Sequence, residues 1–161
     1  MSANTSARHA PEKSPIRVDS FKIKLPESGT NYDQDAEFCI LEVNGEQREL
    51  RFHDYHEIYD IPGLYERLFY EVLECNSPKV VCGLLGKELE ETGVTADALR
   101  ILDLGAGNGI VAEELHAIGI PYVVGADIIP EASAAAERDR PEAYADYHVV
   151  DIAKLSAEEH A

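Results

Sequence analysis

The pattern of apolar and polar positions changes twice along this chain of 161 residues. The first ordered stretch carries short runs with the spacing and composition of β-strands. The Asn44-Gly45 pair separates two of these runs, and this pair is favoured in tight hairpin turns. We therefore predict a strand at Phe21–Leu25 and a hairpin formed by Phe38–Val43 and Glu46–Phe52.

From Asp54 onward the apolar side chains recur every three or four residues, which is typical of helices. Pro62-Gly63 interrupts this pattern, so we predict a short helix, a turn, and a second helix over about 64–73. A third helix is predicted after it, with Pro78 in its first turn and Gly93 at its end.

The last third of the chain alternates between strand and helix patterns. The predicted elements are strand Arg100–Leu104, helix Ile110–Ile118, strand Tyr122–Ala126, helix Pro130–Arg138 and strand Tyr147–Val150. This alternation predicts parallel strands joined by right-handed crossovers, and therefore an α/β fold.

Three glycines at alternate positions follow the first of these strands, in "ILDLGAGNG". Gly105, Gly107 and Gly109 let the backbone turn tightly and approach a ligand closely, because they lack a Cβ. The helix that follows points free N–H groups toward the same loop. The spacing differs from the G-x-G-x-x-G that seats a pyrophosphate, so the loop predicts a nucleotide-like ligand of another kind.

An aspartate stands at or near the end of each of the three strands. Asp103 precedes the glycine loop, where a carboxylate would attract an ammonium or sulfonium and repel a phosphate. Asp127 ends the second strand, 18 residues after Gly109, which is a position suited to bonding ribose hydroxyls. Asp151 follows the third strand and can meet an adenine amino group, although capping of a turn or helix is an alternative role.

These motifs resemble those of the class I S-adenosylmethionine-dependent methyltransferases. "ILDLGAGNG" is similar to the family's first motif, "VVGADI" to its second and "HVVDI" to its third. The resemblance covers roughly residues 54–155, with its core motifs in 101–152. It implies a Rossmann-like parallel sheet, of which this chain supplies the first three strands, preceded by the N-terminal hairpin and the helical segment.

The resemblance also implies roles for particular residues, with S-adenosylmethionine as the cofactor. The implied cofactor-binding residues are Asp103, Gly105, Ala106 and Gly107 at the methionine moiety, Asp127 and Ile128 at the ribose and adenine, and Asp151 and Ile152 at the adenine edge. Aromatic residues between 54 and 70 are expected either to cover the cofactor or to fill the core. No general base is identified, and the expected acceptor is a small molecule.

Charge and composition limit the kinds of partner that the chain is expected to bind. The net charge of −17 argues against nucleic acid or an anionic membrane as the main partner. Three cysteines without a C-x-x-C spacing suggest reduced thiols in a cytoplasmic protein, and His53 and His56 lack a third ligand for a metal. Two alternatives stay open: a nicotinamide- or flavin-dependent oxidoreductase, and a non-catalytic cofactor-binding or interaction fragment.

The predicted organisation has four parts: a disordered tail over 1–20, a strand and hairpin over 21–53, a helical cap over 54–99, and a cofactor-binding half-domain over 100–161. The family's sheet continues past its third strand, and Ser156 and Glu159 form a capping box that opens a further helix. We therefore expect a fragment of a longer enzyme. The Ile101–Leu104 strand would leave an apolar edge, so we expect the isolated chain to be oligomeric, poorly soluble or only partly ordered; pairing of a hairpin strand with that edge is the less favoured alternative.

Overall fold

A computed structural model of the chain describes residues 21–26, 33 and 36–155. The predicted tail and the Ser156–Glu159 capping box lie outside these residues. The strands are β1 (Phe21–Lys24), β2 (Phe38–Val43), β3 (Glu46–Arg51), β4 (Arg100–Leu104), β5 (Tyr122–Asp127) and β6 (Asp146–Val149). The helices are α1 (Tyr55–Asp60), α2 (Leu64–Glu66), α3 (Ser77–Thr92), α4 (Ile110–Ala117) and α5 (Pro130–Asp139).

The first three strands form an antiparallel sheet in the order β1-β2-β3. Asn44 and Gly45 both have positive φ angles, 52° and 86°, so the turn between β2 and β3 is the tight hairpin that the sequence predicts. One face of this sheet packs on the helices that follow it, and the shared core includes Leu41, Ile58 and Leu64, each fully buried.

The helix predicted over 64–73 has an unexpected form. Only α2 is α-helical, and the chain continues as a π-helical turn over Arg67–Val72. Its wider hydrogen bonds include one from the Leu73 amide to the Leu68 carbonyl, at 2.9 Å. Leu68 is fully buried in the hairpin core, while the Tyr65 and Phe69 rings pack on each other. Apolar periodicity does not distinguish a π-helical turn from an α-helical one.

The last three strands form a parallel sheet in the order β4-β5-β6, which confirms the predicted α/β fold. Both crossovers run in the same direction across the sheet, so α4 and α5 lie on one side of it. The core on that side includes Ala112 and Leu115 of α4 and Val123 of β5, with Cys82 of α3 packed against them.

The cysteines of the described residues are all free thiols. Cys39 and Cys82 are buried, and Cys75 is half-buried. Burial raises the pKa of the Cys39 thiol to about 11, which keeps it protonated. Within the described part of the chain, no helix is long and apolar enough to cross a membrane, and no cluster of histidine, cysteine, aspartate and glutamate side chains could hold a metal.

Candidate functional site

The carboxyl ends of the three parallel strands bring together the predicted site residues. Asp103 is paired in register with Gly125, and Asp127 with Val149. Parallel strands deliver their carboxyl ends to one edge of the sheet, which is where open α/β sheets bind ligands. Asp127 is the last residue of β5, one residue beyond the predicted strand.

The glycine loop between β4 and α4 depends on its glycines. Gly105, Gly107 and Gly109 have φ angles of 73°, 55° and 89°, in the left-handed region that favours glycine. The amides of Gly105 and Ala106 donate to the Ala126 carbonyl at 2.8 and 3.1 Å, which fixes the start of the loop on β5. A Cβ on Gly105 would meet nothing within 4 Å, so the loop is open to a ligand at that residue.

Asp127 holds the loop from the adjacent strand. One carboxylate oxygen, Oδ2, accepts a hydrogen bond from the Gly107 amide, and Oδ1 accepts one from the Ile129 amide, both at 3.0 Å. An ionised carboxylate has about four acceptor positions. The two backbone amides therefore leave about two acceptor positions of the Asp127 carboxylate unused.

Asp103 faces a tyrosine that the sequence analysis missed. The Tyr144 hydroxyl donates to Asp103 Oδ2 at 2.8 Å and lies 3.0 Å from the Ala106 carbonyl oxygen. Burial raises the pKa of Asp103 above its usual range, the hydrogen bond from Tyr144 opposes that rise, and the charge of Asp127 adds to it. A positive charge placed nearby would therefore stabilise the ionised form of Asp103.

Tyr147 is the second tyrosine that sequence reasoning missed. Its hydroxyl donates to the Gly107 carbonyl at 2.8 Å. Tyr144 and Tyr147 therefore each place a hydroxyl group against a carbonyl of the glycine loop. The two rings fit only because Gly125 has no side chain: a Cβ on Gly125 would lie 2.9 Å from a Tyr147 ring carbon and 3.1 Å from a Tyr144 ring carbon. A glycine within a buried strand was the available signal, since it marks a close approach.

The residues predicted for the adenine are more exposed. The Ile128 side chain is 60% exposed beside Asp127. Asp151 accepts a hydrogen bond from the Ala153 amide at 3.1 Å and pairs with Lys154 at 2.8 Å, so its carboxylate caps a short 3₁₀ turn over Ile152–Lys154. Ile152 lines an apolar groove of about 520 Å³ together with Leu102, Leu104 and Ala126.

The aromatic helical segment packs partly on the hairpin core and partly on the glycine loop. The rings of Tyr55, Tyr65 and Phe69 pack against the hairpin core, whereas Tyr59 lies over the glycine loop. A Cβ on Gly107 would come within 2.6 Å of the Tyr59 hydroxyl oxygen. Tyr59 stacks on Tyr65, with ring centroids 5.1 Å apart, and packs against Ala132 and Ala135 of α5. Burial, followed by the charges near Tyr65 and Asp127, raises the Tyr59 pKa far above its usual range.

Polar contacts reinforce this placement of the helical segment. Arg138 donates to the Tyr59 carbonyl at 3.0 Å, and Arg140 donates to Glu66 Oε1 at 2.8 Å. The side-chain amide of Asn108, in the glycine loop, donates to the same Glu66 oxygen at 2.6 Å. Residues about 40 to 80 positions apart in sequence therefore meet at the loop, and no local sequence pattern announces them.

Comparison with known proteins agrees with the motifs. Residues 102–161 match the family model described as "Methyltransferase domain", which confirms the resemblance for that part of the chain and supports methyl transfer in general. No curated protein matches the chain. The chain is similar to the crystal structure of Thermoplasma acidophilum 1320, with 25% identity and a TM-score of 0.36. That match covers 47% of this chain and 42% of the other, so it spans less than half of that protein.

Proposed function

We propose that this chain, whose residues 102–161 match the family model described as "Methyltransferase domain", binds S-adenosylmethionine at the carboxyl ends of β4, β5 and β6 and transfers its methyl group to a small molecule. The observation that carries the proposal is the pairing of an open glycine loop with two carboxylates, Asp103 and Asp127, at adjacent strand ends. When bound, the cofactor supplies a methyl group already activated by its sulfonium.

The residues present suit such a ligand. The free acceptor positions of Asp127 match the two ribose hydroxyls in number and chemistry. Asp103 offers negative charge to the ammonium of the methionine moiety, and that charge would lower the raised pKa of the carboxylate. Exposed Ile128 and the groove beside Ile152 provide apolar surface for the adenine ring.

The protein's own contribution to the reaction is positioning. Methyl transfer is an in-line displacement, so its rate depends on how closely donor and acceptor are held in line. Tyr59, buried over the loop, excludes water from the Gly107 side. No side chain of the described residues is assigned as a general base. An acceptor atom that need not lose a proton in order to attack the methyl group needs none.

Calorimetry with S-adenosylhomocysteine tests the proposal on the whole chain. We expect the wild-type chain to bind S-adenosylhomocysteine and not to bind NADH. Asp127→Ala removes hydrogen bonds to an ionised group, each contributing about 1.5–3 kcal/mol, so the affinity should fall about tenfold or more. Gly105→Val, at a φ of 73°, should abolish binding because it distorts and fills the open part of the loop.

Asp146→Ala is the matched control. Asp146 begins β6, at the end of the sheet opposite the proposed site, and is exposed. Its removal should leave the affinity unchanged. Folded wild-type protein that binds no S-adenosylhomocysteine at millimolar concentration would reject the proposal, and unchanged affinity in Asp127→Ala would reject the ribose assignment.

A further inference from the structure

Arg140 joins three elements around the glycine loop. Its side chain, only 15% exposed, donates to Glu66 of α2 and to Glu113 of α4, both at 2.8 Å. It also lies 3.3 Å from the Asn108 carbonyl oxygen, as a donor. A guanidinium offers five donors in a fixed fork, so one arginine can hold these three acceptors together.

Glu66 extends this network directly into the loop. Asn108 is 1% exposed, and its side-chain amide donates to Glu66 Oε1. Asn108 stands between Gly107 and Gly109, which have little conformational preference of their own. Its side chain and its carbonyl are both held, so the Glu66–Arg140–Asn108 network fixes the middle of a loop that would otherwise be permissive.

The network is not arranged for stability alone. Glu66 Oε2 and Asn108 Oδ1 are buried and have no hydrogen-bond partner among the described residues. A buried polar network that is only partly satisfied contributes less to folding than a fully satisfied one, and such exceptions are expected at functional sites. The arrangement therefore favours a role in shaping the loop.

We infer that Glu66 is a positioning residue: through Asn108 it holds the glycine loop in the shape that receives the cofactor, and so makes the N-terminal helical segment part of the binding site. This inference rests on the proposed function, because the ligand is the one proposed there. It assigns to residues outside 102–161 a share of the cofactor affinity.

The test compares variants of Glu66 by calorimetry with S-adenosylhomocysteine, with the affinity expressed per folded molecule and thermal unfolding measured separately. Glu66→Ala frees Asn108 and should weaken binding about tenfold, the cost of losing a buried hydrogen bond to a charged group. Glu66→Gln keeps an oxygen that can accept from both Asn108 and Arg140, and should recover most of the affinity. A purely structural role would lower the unfolding temperature and leave the affinity of the folded fraction unchanged.

Glu113→Ala is the matched control, because Glu113 binds the same guanidinium without contacting Asn108. It should leave the affinity within about twofold, as expected for an exposed partner. If Glu66→Ala does not fold, Glu66→Asp replaces it: the charge is kept, the reach is shorter by one methylene, and weaker binding is again expected.

The outcomes separate the two claims. Wild-type protein that does not bind S-adenosylhomocysteine would overturn the proposed function and this inference with it. Wild-type binding together with unchanged affinity in Glu66→Ala or Glu66→Asp would overturn the inference alone. An equal loss in Glu113→Ala would also overturn it, because the effect would then come from Arg140 and not from the contact with Asn108.

Discussion

The two sheets of this molecule are covered to different degrees. In the N-terminal sheet, Leu41 and Leu50 are at most 1% exposed, because the helices after β3 close over them. In the C-terminal sheet, Leu102 and Leu104 of β4 are 58% and 57% exposed. Both crossover helices lie on the opposite side, where Ile101 and Asp103 point. The difference shows that helices cover the apolar face of the first sheet, whereas the second sheet presents an uncovered apolar face.

The strand ends differ in the same way. The hairpin sheet carries surface ion pairs such as Lys22 with Glu42, which contribute little to stability. The parallel sheet concentrates buried polar groups at its carboxyl edge, where Asp127 is 9% exposed and Asn108 is 1% exposed. Buried polar groups are thus concentrated at one edge of the parallel sheet, and the helices packed on the first sheet bring Tyr59 and Glu66 to that edge.

The largest expected effect is a difference in stability between two leucine-to-alanine substitutions, one in each sheet. Leu41→Ala should destabilise the protein by about 2–5 kcal/mol, because it leaves a cavity in a closed core. Leu102→Ala should change the stability of the monomer by no more than about 0.5 kcal/mol, because the side chain is already exposed there; the measurement is made at protein concentrations below those at which the chain self-associates. Urea unfolding followed by circular dichroism measures both. Equal losses would mean that another surface covers Leu102 in solution.

Self-association is the next expected effect. Among the described residues β4 pairs only with β5, and its other edge and its Leu102–Leu104 face are open. Open strand edges and apolar patches favour pairing with another chain. We expect sedimentation to show oligomers that Leu104→Lys weakens. A monodisperse monomer whose β4 amides exchange slowly would contradict this expectation.

Much of this contrast could be predicted from local sequence. The hairpin follows from Asn44-Gly45, and the parallel sheet from its alternating strands and helices. The glycine loop and Asp127 follow from motif spacing. Tyr144 and the Glu66–Asn108 contact could not be predicted, because they depend on side chains brought together from 41 and 42 residues away. The one-sided cover of the parallel sheet also follows only when strand order is known.

A smaller effect is the dependence of stability on pH, which has opposite signs for Asp103 in the parallel sheet and for Asp54 after the hairpin. Burial raises the pKa of Asp103 above 3.8, so its contribution to stability is fully present below that value and is lost as pH rises through the higher folded pKa. The hydrogen bond from Arg51 lowers the pKa of Asp54, so its contribution is present above 3.8 and is lost as pH falls through the lower folded pKa.

Unfolding in urea at a series of pH values checks this sign. Asp103→Asn should flatten the fall in stability as pH rises above about 4, whereas Asp54→Asn should flatten the fall on the acid side. A change on the acid side in Asp103→Asn would show that Asp103 is stabilised as a carboxylate, contrary to the burial seen here.

Amide hydrogen exchange with and without S-adenosylhomocysteine tests most directly the central claim, which is that the glycine loop and the N-terminal helical segment form one cofactor site. We predict that the ligand slows exchange in two separate stretches, the loop over 103–109 and the helices over 55–66, while the hairpin amides of β2 and β3 stay unchanged. Protection of the loop without the helices would contradict the claim of a shared site, and bound ligand that protects neither stretch would place the cofactor elsewhere.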